Sequence, residues 1–196
     1  DVPGIMNADP ALFSSAQKYE ELPYSEALEL AYYGANIIHP KTIKPLQNAG
    51  IPLFVKPFLK PEEIGTRIDQ SAKLNTDIQA IILKRNQILL TISTSDFSYM
   101  DEMHLSRLFK SFSEAHIKLN MMQLSALSVS VCLDQDAGKL KRVTDLFQDK
   151  LLFSSTEDLE LLTIIYFKEE EIKKLIKGKT ILMEQFSKKI AQLVMK

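Results

Sequence analysis

The first ten residues of the chain, 1–10 (DVPGIMNADP), carry residue types that can bind a nucleotide. Asp1 supplies a carboxylate, and the turn at Gly4 can present backbone N–H groups to a ribose or to phosphate oxygens. An ordinary Pro-Gly turn without a ligand explains the same residues, because proline and glycine are common turn formers. The residues alone therefore leave both interpretations open.

The other chemistry-bearing residues form no recognisable catalytic or metal-binding pattern. His39, His104 and His116 are scattered and have no cysteine or second histidine at metal-ligand spacing. Cys132 is the only cysteine and has no cation beside it in the sequence, which favours packing in a strand over nucleophilic chemistry. No glycine-rich phosphate loop and no Ser/His/Asp order occurs in the sequence. We therefore predict no metal ligand and no catalytic residue in this chain.

Composition and charge narrow the class of protein and its partners. Hydrophobic residues make up 45% of the 196 residues and charged residues 25%, which is typical of a globular protein. A net charge of -1 gives no field that would attract nucleic acid or an anionic membrane. No apolar run approaches the roughly 20 residues of a membrane span, and a lone cysteine suits a reducing compartment. We expect a cytoplasmic protein that binds neither nucleic acid nor a membrane.

Proline usage divides the chain into two parts. All eight prolines lie within the first 61 residues, which predicts short elements there and longer ones afterwards. Residues 25–34 and 40–50 predict two helices, the second kinked or shortened by Pro45. Residues 51–58 (IPLFVKPF) predict a strand. Helix, helix and strand in this order are typical of the end of an α/β domain whose other strands lie outside the chain.

Two related units follow, because the run LLTI at 89–92 recurs at 161–164. The first unit predicts the order βαββαβ, with strands at 87–93, 117–124, 127–133 and 151–153. Its first helix has Asp101 and Glu102 at the N-terminal end and an apolar stripe from 105 to 112, and its second helix covers 136–150. The second unit predicts strands at 159–167, 180–186 and 189–195 and one helix at 169–177. The apolar run 78–83 can complete the second sheet, which would nest the first unit inside the second. Exposed strand edges predict that the sheets pair with each other or with a second subunit.

The N-terminal segment resembles the DVxGIYTADP segment of aspartate kinases. The similarity continues through 30–40 (LAYYGANIIHP), 51–53 and 65–66, and residues 83–92 (LKRNQILLTI) resemble the entry to the tandem ACT domains of the lysine-sensitive class. The resemblance implies an α/β fold, in which the C-terminal piece of an amino-acid-kinase domain precedes two ferredoxin-like ACT units, one nested in the other. It implies that 1–72 belong to the kinase domain, 87–156 to the first ACT unit, and 77–86 with 157–196 to the second.

The resemblance also implies an activity for a longer parent enzyme. That enzyme would transfer the γ-phosphoryl group of ATP, with Mg²⁺, to L-aspartate and release 4-phospho-L-aspartate. The family's KFGGT-like phosphate loop and aspartate-binding residues do not occur in this sequence. This chain alone is therefore expected to be inactive and to need the N-terminal kinase half. The alternative is a non-catalytic regulatory subunit that binds an amino acid and partners a full kinase.

Six positions match the nucleotide contacts of the family that the chain resembles. They are Asp1, Met6, Asp9, Ala11, Asn36 and Ile37. Met6 replaces an aromatic residue, Ala11 replaces an arginine and Asn36 replaces a lysine. Two cations that would face a triphosphate are thus missing, which argues against direct phosphate binding by this part of the enzyme.

The resemblance further implies a homodimer through the ACT domains and a site between ACT units for an amino-acid effector such as lysine or threonine. The matching positions are Ser95, Asp96, Phe97, Met100, Met103, Leu119, Asn120 and Ser125. Asp96 is expected to bind the ligand's ammonium group. Asn120 and Ala126 stand where lysine-sensitive members have an aspartate and a glutamate, so lysine is expected to bind weakly. A solvated loop without a ligand is the alternative for residues 95–100.

Overall fold

The computed structural model describes residues 3–35, 38–96, 98–147 and 151–196. The chain divides into two compact units. The first contains residues 1–83, 162–177 and 185–191, and the second contains 84–161, 178–184 and 192–196. Each unit is therefore assembled from three separate segments of the chain. The predicted domain boundaries stay a prediction.

The first part of the chain forms a three-stranded sheet with two helices. Its elements are β1 (Glu21–Pro23), α1 (Tyr24–Tyr33), α2 (Pro40–Ala49), β2 (Leu53–Val55) and β3 (Thr66–Asp69). The strand order is β1-β3-β2, with β1 parallel to β3 and β2 antiparallel to it. Both predicted helices are present, and they end at Gly34 and Gly50 as the glycine positions indicate.

Two details of this part differ from the sequence prediction. Helix α2 continues through Pro45 to Ala49, so the helix is not shortened. The carbonyl of Lys41, which loses its partner at Pro45, lies on an exposed residue where water can bond it. The strand predicted for 51–58 covers only Leu53–Val55, because the prolines on both sides lack the N–H group that a strand ladder requires.

The second part forms a six-stranded sheet with three helices. Its elements are β4 (Ala80–Thr94), α3 (Glu102–Glu114), β5 (Leu119–Leu124), β6 (Ser128–Asp134), α4 (Ala137–Asp145), β7 (Leu151–Ile165), α5 (Glu169–Leu175), β8 (Ile181–Phe186) and β9 (Ile190–Met195). The strand order is β5-β6-β4-β7-β9-β8. The run from β4 to β7 is the predicted βαββαβ, with a strand order consistent with a ferredoxin-like unit. The α/β fold class is confirmed.

The two longest strands each replace two predicted ones. Strand β4 joins the predicted runs 78–83 and 87–93, and β7 joins 151–153 and 159–167. Asn86 and Asp158 have positive φ values of 55° and 58°, so one left-handed residue interrupts each strand without ending it. Residues 154–158 are polar and exposed. Their lack of apolar alternation was therefore mistaken for the end of a strand.

The helix predicted for 136–150 is shorter than expected. Helix α4 ends at Asp145, and residues 148–150 lie outside the described residues. Helix α5 likewise ends at Leu175, two residues before the predicted end. Differences of this size are common at helix ends, where the last turn has few backbone bonds to hold it.

Each compact unit has its own hydrophobic core. The core of the first unit includes Ile5, Leu22, Ile43, Ile68 and Ile165. The second unit has two cores: one joins β4 and β6 to α3 and α4, and the other joins β5 and β6 to β7, β8 and β9. Each large side chain buried in this way contributes about 1.5–3 kcal/mol. No helix within the described ranges is long and apolar enough to cross a membrane.

Candidate functional site

A cavity of about 350 Å³ lies in the first compact unit. Three segments line it: the loop of residues 4–10, the end of α1 with the residues after it, and the start of β4. The lining residues are Gly4, Met6, Asn7, Ala8, Asp9, Pro10, Leu30, Gly34, Ala35, Ile81, Ile82 and Leu83. Its volume falls in the range of small-molecule sites, about 300–1,000 Å³.

Thr66, at the start of β3, anchors one side of the loop. Its hydroxyl accepts the N–H of Ile5 at 2.8 Å and donates to the carbonyl of Tyr19 at 2.6 Å. The Thr66 side chain is fully buried, so water does not compete for these bonds. A side-chain carbon at Gly4 would collide with the Thr66 hydroxyl. Gly4 is thus a point of close contact between the loop and β3.

Asn7 anchors the other side of the loop to the start of β4. Its backbone carbonyl accepts the N–H of Ile81 at 2.7 Å. Its side-chain amide donates to the carbonyl of Gln79 at 2.8 Å and accepts the N–H of Gln17 at 2.7 Å. Because these groups are used within the protein, Asn7 holds the wall of the cavity in place.

The end of α1 forms the second wall. The N–H groups of Gly34 and Ala35 both bond to the carbonyl of Leu30, at 3.2 and 2.9 Å. The helix therefore ends in a tight turn that brings Leu30, Gly34 and Ala35 onto the cavity surface. The chain then continues to residues 36 and 37, which lie outside the described residues.

Asp9 is the one charged residue among the described residues that line the cavity. Its Oδ1 atom accepts the N–H of Ala11 at 2.9 Å, a local turn that fixes the carboxylate. Apart from Asn7 and Asp9, the lining side chains are apolar. Such a surface suits a flat apolar ring that carries a few hydroxyl groups, and none of the lining residues that the structure describes offers a cation to an anionic group.

The structure brings together two of the predicted nucleotide contacts. Met6 and Asp9 both line the cavity, and Ala11 is exposed one turn beyond Asp9. Asp1, Asn36 and Ile37 lie outside the described residues. The nucleotide role of these positions stays a prediction.

The predicted effector residues after β4 form a compact loop. The Ser98 N–H donates to Asp96 Oδ1 at 3.0 Å, and hydrogen bonds from Ser98 hold the pKa of the Asp96 carboxyl below its usual range. The N–H of Met100 donates to the carbonyl of Ala126 at 2.9 Å, which ties the loop to the β5–β6 turn. Phe97 lies outside the described residues, and Met103 is exposed on α3. Ser95 and Ser125 lie at this same end of the sheet.

Leu119 and Asn120 lie at the opposite end. Leu119 is paired with Leu133, and Leu124 is paired with Val129. Because a strand rises about 3.3 Å per residue, the four steps between Val129 and Leu133 separate the two ends by roughly 13 Å. One chain therefore does not bring the seven predicted effector residues that the structure describes into a single cluster.

Asn120 belongs to a hydrogen-bond network in the second unit. Its Oδ1 atom accepts from Lys84 Nζ at 2.9 Å, and its Nδ2 atom donates to Gln87 Oε1 at 2.8 Å and Asp134 Oδ1 at 2.9 Å. Burial would raise the pKa of Asp134, but the bonds from Gln87 and Asn120 and the charge of Lys84 outweigh it and lower that pKa. Burial lowers the pKa of Lys84. The amide of Asn120 is thus already bonded to the chain's own lysine.

Two features of the cavity were missed by the sequence reasoning. Residues 81–83 form its third wall, although their apolar run predicted only a sheet strand. Thr66 appeared in the family resemblance without a structural role. Two sequence features could have indicated these roles. The run 78–83 had no partner strand in its own repeat unit, and Gly65-Thr66 is part of the resemblance to the family. Cys132 is buried, which agrees with packing in a strand.

Comparison with known proteins adds independent information. Residues 1–57 match the model of the amino acid kinase family. Aspartokinase 3 of Arabidopsis thaliana chloroplasts is 34% identical over 135 residues, which are 68% of this chain and 24% of that protein. Lysine-sensitive aspartokinase 3 of Escherichia coli (strain K12) is 31% identical over 152 residues, which are 78% of this chain and 34% of that protein.

The fold matches as well. The crystal structure of E. coli aspartokinase III in complex with aspartate and ADP has a TM-score of 0.78 and 24% identity, covering 99% of this chain and 47% of that one. The chain thus spans about a quarter to a third of these curated relatives and about half of the solved chain. The sequence and fold matches agree, and the chain belongs to the aspartokinase family, of whose members it spans only a part.

Proposed function

We propose that this chain supplies the nucleotide-side end of the kinase domain and a regulatory ACT region to an aspartate kinase. That enzyme transfers the γ-phosphoryl group of ATP to L-aspartate and releases 4-phospho-L-aspartate. The observation that carries the proposal is the cavity in the kinase-like segment, where Met6 and Asp9 share one wall. The E. coli enzyme of the same fold was solved with aspartate and ADP, which supports a nucleotide as the ligand.

The lining of the cavity suits the nucleoside part of ATP better than its phosphates. Met6, Leu30 and Ile82 provide apolar contacts for a purine ring, and Asp9 can accept hydrogen bonds from ribose hydroxyls. None of the described lining residues is basic, so the phosphates must be bound by the other half of the kinase domain. No group of potential metal ligands occurs among the described residues. Mg²⁺ would therefore enter with the phosphates, as it usually does.

Titration calorimetry with adenosine and with MgADP tests this assignment. Adenosine is expected to bind within about threefold of MgADP, because the phosphates gain no charge-assisted bond here. Asp9→Asn keeps the oxygen that accepts from Ala11 but removes the charge, and should weaken both ligands about tenfold, at the lower end of a charge-assisted bond. Asp77→Asn, an exposed carboxylate outside the cavity, is the control. Equal effects of the two substitutions would contradict the assignment.

Catalysis is assigned to the complete enzyme rather than to this chain. Residues 1–196 contain neither the phosphate loop nor the aspartate-binding residues of the family. Purified chain is expected to show no aspartate-dependent ATP turnover above a control without protein. A measurable rate would place catalytic groups in this segment and contradict the proposal.

The effector site is proposed to be completed by a second copy of the chain. Strand β5 is an edge strand of the six-stranded sheet, and its residues Met122 and Leu124 are exposed. Antiparallel pairing of two β5 strands about a twofold axis would bring Leu119 of one copy beside Leu124 of the other. The two separated groups of predicted effector residues would then meet across the interface. A stable dimer of this kind buries roughly 1,200–2,000 Å².

Sedimentation and calorimetry test the dimer and its ligand separately. A monomer at high micromolar concentration would exclude the dimer. Lysine, threonine and methionine are the ligands to compare, since the E. coli relative is lysine-sensitive by name. Asp96→Ala is expected to abolish amino-acid binding, whereas Glu114→Ala, on the exposed end of α3, should leave it unchanged. Unchanged affinity in Asp96→Ala would remove Asp96 from the site.

A further inference from the structure

A cluster of charged and phenolic groups ties α1 to the C-terminal segments of the first compact unit. Lys189 Nζ, in the turn between β8 and β9, lies 3.3 Å from Glu26 Oε1 and 2.8 Å from Glu29 Oε2. The hydroxyl of Tyr166, the residue after β7, donates to Glu26 Oε1 at 2.9 Å. Because Glu26 and Glu29 are three residues apart, they lie on the same face of α1. One ammonium group therefore bridges two carboxylates of the helix.

Two contacts join Tyr166 and Lys189, the members of the cluster that come from the C-terminal part of the chain. The backbone N–H of Tyr166 donates to the carbonyl of Lys189 at 2.6 Å, and the ammonium group lies 5.6 Å from the centre of the Tyr166 ring. Burial would lower the pKa of Lys189, but its bonds to Glu29 and Glu26 outweigh burial and raise that pKa above its usual range. Glu26 is only 8% exposed. Removal of Lys189 would leave two neighbouring carboxylates, one of them buried, without their shared cation.

The same helix forms a wall of the cavity. Glu26 and Glu29 precede Leu30, whose carbonyl holds the turn at Gly34 and Ala35 that lines the cavity. A helix moves as a rigid rod over this distance because its backbone bonds link each turn to the next. A shift of the face bearing Glu26 and Glu29 would therefore move the turn that closes α1.

A second connection, made of hydrogen bonds through Gln79, links the start of α5 to the loop of residues 4–10. Gln79 accepts the N–H of Lys168, at the start of α5, with its side-chain oxygen at 3.0 Å. Its backbone carbonyl accepts from the side chain of Asn7 at 2.8 Å. Two of the three walls of the cavity, α1 and the loop of residues 4–10, are thus linked to segments that follow β7 in the chain.

We propose that Lys189 is a coupling residue, which transmits the position of the β8–β9 turn through α1 to the cavity. A change that moves this turn away from α1 would release Glu26 and Glu29 and loosen the turn at Gly34 and Ala35. The affinity of the cavity for a nucleoside would fall as a result. Only this last effect depends on the nucleotide role proposed above, since the loosening is a property of the chain without ligand.

Amide hydrogen exchange and adenosine titration of substituted proteins test the coupling. Lys189→Met removes the shared cation, and Lys189→Arg restores it. Lys179→Met is the matched control, because Lys179 forms a 2.9 Å ion pair with Glu160 in the other unit. In Lys189→Met the amides of Gly34 and Ala35 should exchange about tenfold faster, and adenosine should bind about fivefold more weakly, at the lower end of typical coupling. Lys189→Arg should restore both values.

Three results would overturn the coupling. One is equal exchange at Gly34 and Ala35 in Lys189→Met and Lys179→Met. Another is a uniform increase that includes the amide of Ile43, since this would show a general loss of stability. If Lys189→Met does not fold, Tyr166→Phe removes one hydrogen bond of the cluster and should make the amides of Gly34 and Ala35 exchange about twofold faster. The third result that would overturn the coupling is unchanged exchange of these two amides in Tyr166→Phe.

The prediction for amide hydrogen exchange and the prediction for adenosine binding can be contradicted separately. Faster exchange at Gly34 and Ala35 in protein that binds no adenosine, even as wild type, would support the coupling and contradict the proposed nucleotide role. Normal adenosine binding in every variant, with unchanged exchange, would support the nucleotide role and overturn the coupling.

Discussion

Replacing Thr66 with valine is expected to destabilise the protein strongly, although the two side chains have nearly the same shape. The hydroxyl accepts the N–H of Ile5 at 2.8 Å and donates to the carbonyl of Tyr19 at 2.6 Å. All three residues are at most 5% exposed. Valine would leave one buried donor and one buried acceptor without a partner. Each such group costs about 1–3 kcal/mol, so the expected loss in the free energy of unfolding is about 2–6 kcal/mol.

Thr66→Ser is the matched control. Serine keeps the hydroxyl and loses one buried methyl group, which costs about 1 kcal/mol. Urea unfolding followed by circular dichroism gives the free energy of unfolding for the three proteins. The expected order of stability is wild type, then Thr66→Ser, then Thr66→Val. Amide exchange at Ile5 should be fastest in the valine variant, because its N–H has lost its acceptor.

A valine variant as stable as the serine variant would refute this reasoning. That result would mean that the Thr66 methyl group contributes at least as much as the hydroxyl and that Thr66 holds the loop of residues 4–10 by packing. The hydrogen bonds that anchor this wall of the cavity would then be those of Asn7.

Three further predictions follow from local geometry. Gly65→Ala should lower the free energy of unfolding by more than about 2 kcal/mol, because φ is 70° and the added carbon collides with the carbonyl of Val55. Gly50 has a φ of 66° but open space around it, so Gly50→Ala should cost only about 1 kcal/mol. Thermal unfolding of both variants measures the difference. Because the pKa of Asp134 is lowered in the folded protein, its carboxylate stabilises the fold fully above about pH 4, and this stabilisation is lost as the pH falls through the folded-state pKa. The loss in the free energy of unfolding caused by Asp134→Asn, measured by urea unfolding, should therefore be smaller at pH 3 than at pH 7. Burial raises the pKa of Cys132 to about 12, so the native thiol should not react with a thiol-specific disulfide reagent until urea unfolds the chain.

The helices could be predicted from the sequence because their signals are local. Helix α1 ends at the glycine that its pattern indicates, and α3 has Asp101 at its N-terminus, where the carboxylate accepts the N–H of His104. The repeat also gave the order βαββαβ correctly. In each case the information lies within one turn or one strand of the residues concerned.

Strand β3 was missed because its stabilising contacts are not local. Its sequence TRID is polar, and no strand was predicted for these residues. Thr66 and Asp69 are nevertheless buried. Thr66 bonds to the loop before β1, and Asp69 accepts the N–H groups of Ser71 and Ala72. Buried polar residues satisfied by the backbone look the same in a sequence as exposed ones.

The cavity could be predicted only in part for the same reason. Met6 and Asp9 belong to one short motif, which the family resemblance identified. The third wall comes from β4, and Lys189 approaches α1 across a sequence separation of 163 residues. Pairings of this kind depend on the folded topology, so no periodicity or motif within a single segment indicates them.

The effector prediction shows how strand geometry limits a motif that is read along the chain. Residues 95, 96 and 98–100 follow β4, and Leu119 begins β5. The two groups are close in sequence because α3 is the only element that the structure describes between them. A helix that returns along the sheet brings the chain back to the starting end of β4, so the loop after β4 and the start of β5 must lie at opposite ends. A single βαβ unit of this kind therefore cannot join the two groups without another sheet. That constraint, more than the exposed apolar residues of β5, is the reason to expect that any effector contacting both groups binds between two copies of the chain.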